Sequence, residues 1–295
     1  MKLFKCLSIL LGVIAVGAGL SAQPIKEVWD IQCDNVGMVW DYDMTADGSN
    51  VYIADFLPTN GTLVKAYNKE TGALLWTKQW TNIANHGGIY ADAGSVYVVS
   101  SKETPYSLYM ARLDCSNQTI LWENDYNTSS DPIYGTDAVV RGAYAYAVGA
   151  ISGAGGMDFF ILERNKETGA KTWDWQFNED HNEIGEAIGA DSRGIYATGY
   201  QKSLNTPWTI NIPIADPNIG WVPDWKETYT TGQPYTYVEN IAVDTAGDIF
   251  VVGGTYDNAN TQAIIIKYDN AGNVKWFKTF QSGGSGIFKC AAADD

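Results

Sequence analysis

Two histidines are the residues in this sequence best suited to acid–base chemistry or metal binding near neutral pH. His86 lies in "NIANHGG" and His181 in "NEDHNEIG", and Asp92 and Glu183 follow them as acidic neighbours. These four residues are the candidates for a ligand-binding surface. Because the chain has two histidines, a metal site with three histidine ligands is excluded. The alternative interpretation is a pair of exposed loop histidines that bind nothing.

The remaining residue types show no familiar catalytic or cofactor motif. The sequence has no Gly-rich phosphate loop, no "G-x-S-x-G" segment and no calcium loop of the helix-loop-helix type. Cys33, Cys115 and Cys290 are odd in number and widely spaced, which indicates neither a disulfide framework nor a metal cluster. One disulfide bridge stays open. We therefore expect no cofactor and no bound metal.

The first 22 residues have the composition of a secretory signal peptide. Lys2 and Lys5 precede the apolar stretch "LSILLGVIAVGAGL", and "LSA" places small residues before Gln23. A transmembrane anchor is the competing interpretation, which the short and Gly-rich apolar run disfavours. We expect cleavage here, a mature domain of residues 23–295, and a secreted location that is either extracellular or periplasmic.

The chain is strongly acidic. Its formal net charge is −15, and loss of Lys2 and Lys5 with the signal peptide changes it to −17. Such a surface repels phosphate groups, and no cluster of Lys or Arg interrupts it. These features argue against nucleic acid or an anionic membrane as the main partner. No second apolar run like the one in the signal segment occurs, so we expect no membrane insertion after signal cleavage.

A repeat of aromatic residues runs through the mature chain. One tryptophan recurs at intervals of 46, 51, 48 and 55 residues, and a second aromatic follows it by four positions. The tryptophans are Trp76, Trp122, Trp173, Trp221 and Trp276, and the aromatics are Trp80, Tyr126, Phe177, Trp225 and Phe280. A second column lies 24 to 27 residues upstream of each tryptophan, at Tyr52, Tyr97, Tyr146, Tyr196 and Phe250.

The repeating unit is typical of a β-propeller blade. Each unit holds short runs with period-2 alternation, separated by Gly, Asn and Asp turns, and its length suits four strands. A twisted sheet has two faces, and packing against a sheet on each side covers both. We therefore predict an all-β propeller with five complete four-stranded blades and the start of a sixth. The tryptophans should lie on the outermost strands, and small residues in "EAIGAD", "NIAVD" and "CAAAD" should form the crowded inner strands.

Turn chemistry explains two other recurring features. "NKETG" occurs at residues 68–72 and again at 165–169, where it should join the third and fourth strands, with Gly72 and Gly169 supplying a positive φ. Aspartates follow the inner strands, where their side chains can accept hydrogen bonds from their own backbone. They are Asp92, Asp191, Asp244 and Asp294.

Two segments carry a family resemblance. "AYNKETGALLW" resembles the repeat of quinoprotein-type (PQQ-like) propellers, and "IIIKYDNAGNVKWFKTF" with the following "AAADD" is similar to the bacterial SBBP propeller repeat. Together the resemblances cover residues 28 to 295 and imply a propeller fold. Quinone-dependent dehydrogenases of this type carry adjacent cysteines and a calcium ion beside the cofactor. No two cysteines are adjacent here, so the resemblance extends to the fold and not to the cofactor.

The two ends of the chain suggest an unfinished ring. Trp29 in "EVWDIQ" lies 47 residues before Trp76, in phase with the repeat, and resembles a fourth strand without its blade. At the other end the sequence stops inside blade six. We expect a C-terminally truncated ring, an open arc or a strained ring in which residues 28–31 are loosely placed. The total number of blades stays open at six, seven or eight.

Three classes of function are compatible with these features. The first is a secreted binding or scaffold module for a protein or glycan partner, which is the preferred interpretation. The second is a lyase or glycosidase acting on an extracellular polysaccharide through a carboxylate pair. The third is a quinone-dependent dehydrogenase. Any ligand site should lie on the loops that lead from outer to inner strands, with His86, His181, Asp92 and Glu183 near it.

Overall fold

The computed structural model describes residues 41–57, 61–103, 106–127, 132–153, 156–177, 182–201, 206–213, 225–229, 235–256, 260–280 and 286–293. Every regular element in these ranges is a β-strand. The strands form five separate antiparallel sheets of four, each built from four consecutive strands. The predicted all-β propeller with five complete blades is confirmed.

The twenty strands follow the chain in five groups. Blade one comprises β1 (Asp41–Ala46), β2 (Asn50–Leu57), β3 (Gly61–Asn68) and β4 (Leu74–Trp80). Blade two comprises β5 (Ala84–Asp92), β6 (Ser95–Glu103), β7 (Tyr106–Asp114) and β8 (Ile120–Tyr126). Blade three comprises β9 (Ile133–Arg141), β10 (Tyr144–Gly153), β11 (Gly156–Asn165) and β12 (Lys171–Phe177). Blade four comprises β13 (Glu183–Ala190), β14 (Gly194–Gln201), β15 (Thr206–Pro213) and β16 (Trp225–Thr228). Blade five comprises β17 (Tyr235–Val243), β18 (Ile249–Tyr256), β19 (Thr261–Tyr268) and β20 (Val274–Phe280).

The hydrophobic core lies between the blades. One cluster joins Tyr52 and Val64 of blade one to Ile89 and Leu113 of blade two, and comparable clusters join each later pair of neighbours. The four tyrosines of the aromatic column on the second strands are fully enclosed, since Tyr52 and Tyr97 are both 0% exposed and Tyr146 and Tyr196 are both 1% exposed. Burying one large apolar side chain contributes about 1.5 to 3 kcal/mol. The interfaces between sheets therefore hold the disc together.

The tryptophans close the wide end of each wedge. Trp76, Trp122, Trp173 and Trp276 lie on the outermost strands β4, β8, β12 and β20. Within a blade, the indole packs near the second-strand aromatic, with ring centroids 5.8 Å apart for Tyr52 and Trp76. The centroids of Tyr97 and Trp122 are 6.1 Å apart. Aromatic pairs at these separations add favourable contact beyond simple burial.

The alignment of the repeat in blade four is corrected by four residues. Trp225 opens the outer strand β16, and its ring lies 6.4 Å from that of Tyr196, as Trp122 lies beside Tyr97. The repeat spacing predicts Trp221 at this position, and Trp221 lies outside the described residues. Two tryptophans four residues apart both fit the aromatic pattern. With Trp225 in the column, Tyr229 becomes the aromatic four positions on.

The structure describes most of the C-terminal end of the predicted repeat and none of its N-terminal end. Residues 286–293, which include most of the inner strand expected at 290–294, have no regular secondary structure. Their backbone makes isolated contacts with blade five, such as Phe288 N to Gly253 O at 3.2 Å, instead of a continuous ladder. Trp29 and residues 28–31 lie outside the described residues, so their loose placement stays a prediction.

Replacing Trp225 by alanine tests the corrected alignment. We expect a loss of about 2 to 4 kcal/mol in the free energy of unfolding, because the half-buried ring leaves a cavity between blades four and five. Urea denaturation measures the loss. Leu121→Ala is the matched control, since Leu121 is 47% exposed on an outer strand and should cost less than about 0.5 kcal/mol. Equal, small losses for both variants would contradict the assignment.

Candidate functional site

The disc has two faces that differ in the connections they carry. We call the loop face the one that bears the links from each outer strand to the next inner strand, such as residues 81–83 between β4 and β5. We call the turn face the opposite one, which bears the turns between first and second strands and between third and fourth strands. "NKETG" at residues 68–72 belongs to the turn face.

Of the four predicted site residues, the structure places Asp92 and Glu183 on opposite faces of the disc. The backbone of His86 lies near the start of β5, at the loop face, and His181 lies outside the described residues. Glu183 begins β13 at the loop face, but its side chain is 0% exposed and is enclosed by the blade interface. Asp92 ends β5, six residues and about 20 Å of extended chain after His86, so it lies on the turn face. The prediction that Asp92 neighbours His86 is therefore wrong, because a strand carries its two ends to opposite faces.

The turn-face aspartates are structural. Asp92 forms an ion pair with Lys166 of blade three at 2.9 Å. Asp47 accepts hydrogen bonds from the backbone N–H of Ser49 and Asn50 at 2.8 and 2.7 Å. This geometry is the local turn chemistry expected from the sequence.

Asp191 is the most heavily bonded of these turn residues. Its carboxylate accepts the backbone N–H of Arg193 at 2.7 Å and of Gly194 at 3.2 Å, and it pairs with the Arg193 guanidinium. Burial raises the pKa of Asp191, but the Arg193 side chain and these N–H donors outweigh burial and lower the pKa below its ordinary value of 3.8. The ionised carboxylate thus stabilises the folded turn.

The loop face holds a polar cleft between blades one and two. Its volume is about 270 Å³, and it is lined by Asn82, Lys102, Tyr109, Glu123, Asn124 and Asp125. Asn82 lies in the connection that precedes β5, four residues before His86 along the chain, whereas the other residues come from β6, β7 and β8. The cleft therefore opens on the face where the sequence predicted a ligand site, but it is built from different residues.

Two carboxylates and one ammonium group set the electrostatics of this cleft. Lys102 Nζ lies 2.7 Å from Asp125 and 5.0 Å from the centre of the Tyr109 ring. The Tyr109 hydroxyl donates to Glu123 Oε2 at 2.5 Å. Burial, and then the Glu123 carboxylate, raise the pKa of Tyr109, so its phenol stays protonated. The cleft keeps one negative charge in excess and can accept a cationic group or hydrogen-bond donors.

The cleft was not predicted because its residues lie on strands whose sequence pattern is that of ordinary structural β-strands. Lys102, Glu123 and Asp125 are polar residues near the loop-face ends of β6 and β8, and their meeting depends on the pairing of three strands. The one sequence feature that could have indicated the cleft is the presence of polar residues near those strand ends. Within the described ranges, no group of three His, Cys, Asp or Glu side chains is placed to hold a metal ion. Those ranges also contain no helix long and apolar enough to cross a membrane.

Comparison with known proteins shows the family. A PQQ-like family profile described as outer membrane protein assembly factor BamB matches residues 19–233. The chain belongs to this BamB family. The predicted relationship to quinoprotein-like propellers is thereby confirmed. A search of curated protein sequences found no match.

Among solved structures, BamB from Moraxella catarrhalis is 13% identical, with a TM-score of 0.48 over 85% of this chain and 64% of that chain. The hydrazine synthase of Kuenenia stuttgartiensis is 15% identical, with a TM-score of 0.56 over 85% of this chain and 68% of that one. The WD40 repeats of RRP9 are 8% identical, with a TM-score of 0.55 over 87% and 69%. This BamB-family chain therefore spans less than two thirds of the Moraxella BamB chain, and the latter two likenesses show the propeller fold alone.

The lowered pKa of Asp191 predicts part of the acid sensitivity of the fold. A carboxylate whose pKa is lower in the folded state stabilises the protein above about pH 4 and loses that contribution as the pH falls through the lowered value. Asp191→Asn should be less stable than the parent at pH 7 and should lose less stability on acidification. Urea midpoints at pH 7, 4 and 2.5 measure the difference. Glu70→Gln, a change at an exposed turn-face residue, should leave the pH profile of the parent unchanged, and identical profiles for all three proteins would contradict the role of Asp191.

Proposed function

We propose that this BamB-family propeller is a binding scaffold of the bacterial cell envelope that holds a protein partner on its loop face. The match of residues 19–233 to the BamB family is the observation that carries the proposal. The family description names assembly of outer-membrane proteins, and the signal-like segment at residues 1–22 agrees with export to that compartment. We infer that the chain acts in the periplasm as part of that assembly.

The contacts of the turn face favour the loop face as the binding surface. Arg112 donates to the carbonyl of Lys166 at 3.1 Å, and Arg141 donates to the carbonyl of Asp191 at 2.6 Å. Arg193 continues the series into blade five. These guanidinium groups each bond the backbone of the next blade. Turn-face charges are thus used to join blades, which leaves them poorly placed to recognise a partner.

The loop face also presents aromatic side chains of the kind found in protein interfaces. Tyr106 is 49% exposed at the start of β7, and Tyr235 is 46% exposed at the start of β17. Tyr42 and Phe280 are each 37% exposed at other strand ends of the same face. Tyr combines a large apolar ring with a hydroxyl, so it can bury area and still satisfy its polar atom on binding.

The polar cleft suggests the chemistry of one contact. Its excess negative charge, from Glu123 and Asp125 opposite Lys102, suits a Lys or Arg side chain of the partner. The net charge of −15 for the whole chain would draw a basic surface toward it over longer distances. Binding of this kind should weaken as ionic strength rises, because salt screens exposed charges.

Deletion of the gene in the bacterium that encodes it tests the assembly role. The proposed function predicts lower levels of folded outer-membrane proteins in the deletion strain and recovery when the wild-type gene is restored. Quantitative mass spectrometry of the outer membrane measures both. Unchanged outer-membrane protein levels in the deletion strain would overturn this role.

Photo-crosslinking tests which face meets the partner. A photoreactive amino acid replaces the exposed Asn82 beside the cleft, and the matched control replaces the exposed Glu70 on the turn face. We expect a discrete protein adduct from position 82 and none from position 70. An adduct from position 70 alone would place the partner on the turn face, and adducts sensitive to glycosidase but not to protease would indicate a glycan partner.

Neutralising the cleft tests the proposed charge contact. Glu123→Gln with Asp125→Asn keeps acceptor oxygens for Tyr109 and Lys102 but removes both negative charges. The partner concentration that gives half-maximal crosslinking from position 82 should then rise about tenfold. This is a typical loss of affinity for one partly exposed charge contact. Titration of the purified chain with the captured partner measures the change, and Glu70→Gln should have no effect. An unchanged affinity would contradict the proposal that a basic side chain of the partner binds in the cleft.

A further inference from the structure

The lysine of the polar cleft reaches its ion-pair partner across a strand. Lys102 lies on β6 and Asp125 on β8, with β7 between them in the sheet. Neighbouring strands are about 4.8 Å apart, so the two backbones are separated by roughly 10 Å. Lys102 Nζ still lies 2.7 Å from the Asp125 carboxylate and 5.0 Å from the centre of the Tyr109 ring. The Lys102 side chain therefore extends across β7 and over the face of this ring.

The strand register places the groups around this ammonium on one face of blade two. Tyr109 lies opposite Asp125 in the sheet. Lys102 lies opposite Ser107, which shares the face of Tyr109 because side chains two residues apart on a strand point the same way. Glu123, two residues before Asp125, lies on this face for the same reason. The face is turned toward blade one, since Tyr109 belongs to the core cluster between blades one and two.

The position of the Lys102 ammonium is that of a bound cation. Carboxylates and the faces of aromatic rings are groups that hold cations in proteins, and this ammonium contacts one of each. The protein's own lysine thus occupies the position at which the cleft would hold a basic side chain of a partner. We call this arrangement, with Lys102 lying across β7, the closed cleft.

The contacts that hold Lys102 in the closed cleft are weak. The Asp125 side chain is 42% exposed, so solvent screens the ion pair. A cation–π contact at a partly exposed site adds little. Holding the lysine stem extended across β7 also costs rotamer entropy. An incoming cation can therefore exchange with Lys102 at small cost.

Ser107 gives a second reason for the closed cleft to open. It lies directly opposite Lys102 and is 0% exposed. Its Oγ has no hydrogen-bond partner among the described residues. A buried hydroxyl without a partner costs free energy, which contact with water or with a ligand removes. Movement of Lys102 away from β7 uncovers this hydroxyl, so opening relieves one cost of the closed cleft.

We propose that Lys102 is an internal competitor in this cleft, and that a basic side chain of the partner displaces its ammonium group from Asp125 and the Tyr109 ring. The inference rests on the proposed function, which assigns a basic side chain of the partner to the cleft. Displacement exchanges one positive charge for another, so Asp125 stays paired throughout. A neutral side chain cannot make this exchange without leaving the carboxylate unpaired. Lys102 thus lowers the affinity for basic segments and rejects neutral ones.

Binding of small cationic probes to the purified protein tests the competition. The probes are two blocked tripeptides, acetyl-Gly-Lys-Gly-amide and its arginine counterpart, and a tripeptide with central norleucine is the neutral control. Lys102→Met keeps an unbranched stem over β7 and removes the ammonium group. The dissociation constant of both cationic probes, measured by NMR titration, should fall about tenfold in this variant. Lys69→Met removes one positive charge from the exposed turn face and should change the constant less than about twofold.

A charge-neutral variant separates displacement from a simple charge effect. Ser107→Ala removes the buried hydroxyl and leaves every charge in place, so opening no longer relieves a cost. The affinity for the lysine probe should then fall about fivefold relative to the parent. The ε-methylene NMR signal of Lys102, assigned by its absence from Lys102→Met, gives a direct readout. It should move toward the position of an exposed lysine as the probe saturates the protein.

Different results contradict different steps. Equal affinities of the parent and Lys102→Met, an unchanged affinity in Ser107→Ala, or a Lys102 signal that stays in place at saturation would each overturn the competition and leave the charge contact intact. If neither cationic probe binds the parent or Lys102→Met, or if the norleucine probe binds as tightly as the lysine probe, the charge contact of the proposed function fails as well. The deletion strain tests the assembly role separately.

Discussion

A single four-stranded sheet of this protein cannot cover both of its apolar faces, and that constraint shapes the molecule. Each of blades two to four buries one face against its predecessor and the other against its successor, with fully enclosed tyrosines in the interfaces. The gap between two twisted sheets widens with distance from the axis, so the largest side chain is needed at the rim. Tryptophan on the outer strand fills it, while glycine and alanine suit the crowded inner strands.

The rim contact also determines why the turns carry the sequences they do. Trp122 bonds the carbonyl of Lys166, and the Arg112 guanidinium bonds the same oxygen, so one backbone atom joins two side chains of the preceding blade. The Arg112 side chain also pairs with Glu167 at 2.5 Å. "NKETG" is therefore both a tight turn and the surface on which the preceding blade rests. At residues 165–169 the turn sequence therefore serves packing between blades as well as the local turn.

Much of the architecture could be read from the sequence because the aromatic columns report local strand structure and repeat with the blade. The errors have definite physical causes. Trp221 and Trp225 both satisfy a four-residue aromatic spacing, and the contact with Asn270 that selects Trp225 is formed across a blade boundary. Asp92 was placed on the wrong face because strand direction, and not distance along the chain, decides which face a residue reaches.

The candidate site was harder to predict than the fold. Lys102, Tyr109 and Asp125 meet through strand pairing within blade two, and nothing in their spacing marks them as neighbours. Contacts between neighbouring inner strands were likewise hidden, because Asp43 and Asp137 accept hydrogen bonds from backbone donors about fifty residues away, in the next blade.

Hydrogen exchange of the tryptophan indole N–H groups tests the central claim most directly. If the blades are joined by indoles bound to the turn of the next blade, then the Nε1 protons of Trp122 and Trp225 exchange only through opening of the blade interface. Both signals should persist in deuterated buffer long after an exposed indole has exchanged. Loss of both signals at the rate of an exposed indole would contradict the account.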